Sequence, residues 1–154
     1  MENKIILPAE WEHQSGVMLT WPHEETDWAY MLEEVTECYI RLAHEIAKRE
    51  RLLIVCPNKA KVAEQLSDIA DSIIFREMET NDTWARDHGP ITVKVDGEPC
   101  LYDFQFNGWG LKFASNLDNQ ITRKLYGSDL FPPSVGYFSF LNYHFFFLLH
   151  YYLI

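Results

Sequence analysis

The chain has 154 residues, enough for a domain with a real core, and 23 Asp and Glu outweigh 13 Lys and Arg for a formal charge of −10. This balance argues against nucleic acid, which is held by cations on phosphates, but would attract a small cationic ligand. Three cysteines, Cys38, Cys56 and Cys100, form no C-x-x-C pair, and the N-terminal "MENKIILPAEWEH" has no basic stretch followed by an apolar one, so the expectation is a cytoplasmic protein with reduced thiols.

In chain order, Gly16 to Trp21 ("GVMLTW") predicts a short buried strand ended by Pro22. Thr26 or Asp27 is placed to cap a helix with Leu32, Val35, Tyr39, Leu42 and Ile46 on its apolar face. Leu52 to Val55 reads as a second buried strand before Pro57. Lys59 to Ala70 reads as a second helix with Val62, Leu66 and Ile69 inward. Ile73 to Phe75, Ile91 to Val95 and Leu101 to Phe106 complete the strands, with a turn at Asp96-Gly97, and Ser115 to Tyr126 predicts a last helix. The order is that of a mixed α/β chain with at least one hairpin.

Between two of these strands lies "NDTWARDHGP", residues 81–90, too long for a tight hairpin and rich in chemistry. Asp82 and Asp87 could each pair bidentately with a guanidinium, and the face of Trp84 would add cation–π attraction. The same residues could instead cap turns, pair with Arg86 and fill a core, and spacing alone favours this plainer account. Other signals are weaker. His23 to Asp27 lacks the second His of a zinc-binding helix, no glycine-rich phosphate loop is present, His13, His44 and His88 stand isolated, and each cysteine reads as a small buried hydrophobe.

Three segments taken together resemble one family: "LPAEWEHQSGVMLTWPHEETDW" at 7–28, "NDTWARDHGP" at 81–90 and "DFQFNGWGLKFASNLDNQIT" at 103–122. In this order they are similar to the agmatine deiminase / bacterial peptidyl-arginine deiminase family, from about residue 5 to about 126, roughly the first third of a family chain. The resemblance implies a fragment of the α/β propeller of guanidino-group-modifying enzymes, the pentein fold built of ββαβ modules. It implies attack of a cysteine thiolate on the guanidinium carbon, loss of ammonia and hydrolysis by a histidine-activated water, with no metal or organic cofactor. Trp84 resembles the Trp that packs on substrate, Asp87 the Asp that binds the guanidinium, and Asp82 a further substrate-side Asp. Arg86, Gly89, Asn107 and Trp109 match as supporting residues. The nucleophilic Cys and general-base His of the family match nothing here, so the 154-residue chain is expected to be inactive and to bind little by itself.

The implied substrate is agmatine, converted to N-carbamoylputrescine and ammonia. No Arg between Arg86 and Arg123 offers a grip for the carboxylate of arginine. Peptidyl-arginine or arginine as substrate, and a non-catalytic guanidinium-binding fragment, are the alternatives. The expected partners are this small cation and, in the full-length form, a homo-oligomer, with neither nucleic acid nor membrane.

Residues 127–154 differ from residues 1–126. After Asp129 there is no charged residue, and ten of the 23 Phe, Tyr and Trp follow it. Pro132, Pro133, Gly136 and Asn142 interrupt a membrane-span reading. The segment is set apart as an aberrant, aromatic-rich tail, read as out-of-frame translation; His144 and His150 within it match no motif.

Overall fold

A computed structural model describes residues 3–140. The strands and helices in chain order are β1 (Ile5–Ile6), β2 (Val17–Thr20), α1 (Leu32–Ala47), β3 (Leu52–Cys56), α2 (Lys59–Gln65), β4 (Ile73–Glu77), α3 (Ala85–His88), β5 (Ile91–Val95), β6 (Glu98–Phe104), α4 (Gly108–Leu111), α5 (Ile121–Tyr126) and β7 (Gly136–Phe140). The described residues divide into two compact units, one of residues 14–85 and one of residues 3–13 with 86–140.

The unit of residues 14–85 is a parallel three-stranded sheet in the order β2-β3-β4. All five residues of β3 ("LLIVC") are buried, as expected of a central parallel strand covered on both faces. Val17 pairs with Leu52, and Leu52 with Ile73. Trp21, Ala43, Leu52, Ile54, Cys56, Val62, Leu66 and Ile73 form the core. Helix α1 begins with Glu33 and Glu34 in its first turn and has His44 in its last, in the sense that favours the helix dipole. Its inward face runs through Val35, Tyr39, Ala43 and Ile46. Leu42, predicted to be inward, is 44% exposed, and Ala43 takes the core position. The one-residue rotation lets the small Ala43 approach the sheet closely.

The predicted cap at Thr26 or Asp27 is not used. A 3-10 turn, Ala29–Met31, precedes α1, and Thr26 Oγ1 donates instead to the His23 carbonyl at 2.8 Å. Asn58 caps α2 by accepting from the Lys61 amide at 2.9 Å. That helix stops at Gln65, short of the predicted Ala70, and a second 3-10 turn leads from Ala70 into β4.

The other unit holds a four-stranded mixed sheet, β1-β5-β6-β7. β5 and β6 form the predicted hairpin. Asp96 and Gly97 at its tip have φ of 52° and 95°, the left-handed pair that matches strand twist in a two-residue turn. Lys4 N–H donates to Asp96 Oδ1 at 2.8 Å, tying β1 to that tip. The predicted helix over 115–126 shortens to a 3-10 turn, Asp118–Gln120, followed by α5. Its first residues brace Phe106 instead. Ser115 Oγ and Asn119 Nδ2 donate to the Phe106 carbonyl, and Asn119 Oδ1 accepts from the Phe106 amide at 2.7 Å. Such side-chain bonds offer the backbone an alternative to the helix.

β7 was not anticipated. It pairs parallel to β6, with Gly136 opposite Cys100, and the Tyr137 hydroxyl donates to the buried Asp103 carboxylate. Burial and this carboxylate push the Tyr137 hydroxyl up to about 12. The part of the tail that is described therefore includes a sheet strand. The rest, residues 141–154 with His144 and His150, lies outside the described residues.

Candidate functional site

Asp82 is a polar hub in the unit of residues 14–85. Its residue surface is only 9% exposed. Oδ1 accepts from the Thr83 amide at 2.8 Å and Oδ2 from the Trp84 indole at 3.0 Å. The Asp27 backbone supplies a further hydrogen bond. Burial raises the Asp82 carboxyl above its ordinary range, and the nearby Asp27 charge adds to this, while the internal donors act the other way.

Trp28 completes the network. Its indole N–H donates to Thr83 Oγ1 at 2.8 Å, and the Tyr39 hydroxyl is hydrogen-bonded to the same side chain. The rings of Trp28 and Trp84 lie with centroids 5.7 Å apart at 39°. Trp84 remains 39% exposed, so part of the indole reaches solvent. His23 Nε2 and Thr80 Oγ1, 2.9 Å apart and buried, hold the incoming chain beneath. Sequence reading found Trp84 and Asp82 but missed Trp28. The signal was present: its segment, "EETDW", lies inside the first of the three quoted motifs.

Asp87 belongs to the other unit, since the division falls between Ala85 and Arg86. It sits on the single turn α3, on the exposed surface, as does Arg86. Protein packed around its carboxyl raises the Asp87 pKa, and the Arg86 charge pulls it partly back. The internal Arg86–Asp87 interaction considered from sequence is thus present as an electrostatic one. Gly89 leads directly into β5, and its φ is not in the left-handed region. His88, next to Asp87, is 1% exposed and faces Asp118, 2% exposed, with Nδ1 3.7 Å from Oδ2. Burial lowers the His88 pKa to about 4, so the imidazole is neutral near pH 7.

Asn107 caps α4 and Trp109 lies on it, a turn with left-handed φ at Trp109 (53°) and Gly110 (81°). Asn107 Oδ1 accepts from the Gly110 amide at 3.0 Å, and Trp109 meets Phe106 edge-on at 4.7 Å. Asn107 also lines a groove of about 760 Å³ with Asp103, Asn119 and Arg123. A smaller groove, about 490 Å³, lies between α1 and α2 beside Trp21 and His23. Neither groove is lined by Asp82, Trp84 or Asp87.

The cysteines are placed as small hydrophobes in two cases of three. Cys56 ends β3 and is buried, which pushes its thiol up to about 11; Cys100 is buried in β6 and also raised; Cys38 is exposed on α1. A thiol held that high carries almost no nucleophilic thiolate at neutral pH.

A parallel βαβαβ unit and a ββαβ unit, joined through a loop bearing an exposed Trp and an exposed Asp, define part of an α/β structure of the pentein class. Solved structures agree. A candidate arginine deiminase from Porphyromonas gingivalis superposes with a TM-score of 0.80 at 47% identity, over 88% of this chain and 40% of that one. An agmatine deiminase from C. jejuni, a Cys-to-Ser variant with substrate bound, gives 0.81 at 33% identity, over 90% of this chain and 40% of that one. A candidate agmatine deiminase of Shewanella baltica is 30% identical over 130 residues, 80% of this chain. The model of the Porphyromonas-type peptidyl-arginine deiminase family matches residues 6–136, and the chain belongs to that family. The match runs to residue 136 rather than 126, so it takes in the first residue of β7. The chain spans about 35% of the length of the curated relatives it matches. Among the described residues no helix is long and apolar enough to cross a membrane.

Proposed function

We propose that this chain supplies the guanidinium-gripping part of a deiminase that hydrolyses agmatine to N-carbamoylputrescine and ammonia. The observation that carries the reading is the 81–90 loop, in which an exposed indole is hydrogen-bonded to the buried Asp82 carboxylate and an exposed carboxylate follows three residues later. In this role Asp87 pairs with the guanidinium nitrogens and Trp84 lies against the flat cation. The grip fixes the carbon for attack, a positioning effect. Asp82, whose oxygens already take internal donors, acts by holding Trp84. Arg86 and Gly89 belong to the loop's architecture, and Asn107 and Trp109 keep only the supporting role that the family resemblance implies.

The nucleophile is assigned to none of Cys38, Cys56 and Cys100, and the general base to no histidine described here. By this account the chain alone binds weakly and releases no ammonia. Ammonia release from agmatine by the purified chain, abolished by Cys38→Ser, would overturn that assignment.

A second reading takes arginine or peptidyl-arginine as substrate. It is favoured by the 47% identity to the candidate arginine deiminase, against 33% to the agmatine deiminase. Parallel titrations with agmatine, L-arginine and an arginyl peptide separate the two. Tighter binding of agmatine supports the first reading, and tighter binding of either carboxylate-bearing ligand the second.

A further inference from the structure

We infer that Trp28 is a positioning residue for Trp84, fixing the plane of the indole against which a guanidino ligand lies. The inference rests on the reading of Trp84 given above, but its structural half stands by itself. Trp28 and Trp84 are 56 positions apart in sequence and are joined twice, all within the unit of residues 14–85. One joint is direct, ring on ring at 5.7 Å. The other is a relay: Trp28 Nε1 donates to Thr83 Oγ1, the Thr83 amide donates to Asp82 Oδ1, and Asp82 Oδ2 accepts from Trp84 Nε1. The Asp27 backbone also bonds to Asp82, so the residues on both sides of the 27–28 peptide are tied to the 82–84 segment.

An indole held at one edge by a single hydrogen bond can still turn about its χ angles. Ring contact with a second indole, itself anchored through Thr83, removes that freedom. The exposed face of Trp84 is thus set before any ligand arrives, which lowers the ordering cost of binding. A residue needed only to fill the core would sit among apolar side chains. Trp28 is instead half-buried and spends its N–H on the hydroxyl next to the hub.

The test uses the whole chain and three variants. Thr83→Val keeps the shape but removes the hydroxyl relay, Thr83→Ser restores the hydroxyl, and Trp28→Phe keeps a ring without a donor. Two indoles this close couple in circular dichroism, and the Trp84 indole N–H is visible by NMR. The expected result is a diminished coupled band and a moved Trp84 indole resonance in Thr83→Val, both recovered in Thr83→Ser, with thermal melting retained. Agmatine affinity falls about three- to tenfold in Trp28→Phe and Thr83→Val, the worth of one neutral hydrogen bond. An unchanged band and an unmoved resonance in both Thr83→Val and Trp28→Phe would overturn the inference. If those signals change while the wild-type chain shows no response to agmatine, the positioning role stands and the functional reading of Trp84 falls.

Discussion

The Trp84 indole donates to Asp82 Oδ2 at 3.0 Å, and the carboxylate that receives it is buried while the ring is not. This difference separates the roles of two residues that a motif presents side by side. In the proposed reading Asp82 supports the indole, and Trp84 is the surface it supports.

Asp82→Asn tests the hub. An amide NH2 does not fit at this side chain, because the Thr83 amide and the Trp84 indole point donors at both of its oxygens. One donor faces another, and the predicted loss is about 1–3 kcal/mol of stability, the cost of an unsatisfied buried polar group. Urea denaturation followed by Trp fluorescence measures it.

Asp87→Ala and Trp84→Ala should differ in stability. The Asp87 side chain is exposed, so Asp87→Ala should stay within about 0.5 kcal/mol of the parent, whereas Trp84→Ala removes a donor from the buried Asp82 carboxylate and should cost about 1–3 kcal/mol. Each should lose agmatine binding by about tenfold or more, since a charge-assisted pair or a cation–π contact is removed. Thermal melts alongside ligand titrations separate the two effects.

His88 gives a pH dependence with a defined sign. The unfolded imidazole takes up a proton near 6.5, and the buried one near 4. Between these values the unfolded chain binds more protons, so stability falls as pH drops from 6.5 toward 4 and levels off below. The full effect is about 3 kcal/mol. His88→Gln should flatten that part of the profile, and a native His88 titrating near 6.5 by NMR would refute the assignment.

Gly108→Ala tests the α4 turn. Gly108 has φ of 59°, and a Cβ there would lie 2.1 Å from the Phe113 carbonyl oxygen. The turn must then open, displacing Asn107 and Trp109. The expected signs are a shifted Trp109 indole resonance and a cost of about 1–3 kcal/mol.

Much of the fold was legible because it depends on local pattern. The five-residue apolar run of β3 and the Asp96-Gly97 turn each carry their cause within a few positions. What escaped depends on partners far along the chain. Leu42 and Ala43 are separated by which one the sheet has room for, and the Ser115 and Asn119 side chains bond the Phe106 backbone, nine and thirteen positions away, where the sequence pattern predicts a regular helix. β7 was hidden in an aromatic tail with no clear period, and only its pairing with β6 defines it. At the candidate site, motif resemblance pointed to Trp84 and Asp87, but the support given by Trp28 spans more than fifty positions and no local window contains it.

The most direct measurement is an NMR titration of the chain with agmatine, following the Trp84 indole N–H in the parent and in Asp87→Ala. The account predicts a saturable shift in the parent with a Kd on the order of 1 mM, about −4 kcal/mol, and its loss in Asp87→Ala. An unresponsive Trp84 indole, or the same shift in both proteins, would contradict the claim that this loop grips a guanidinium.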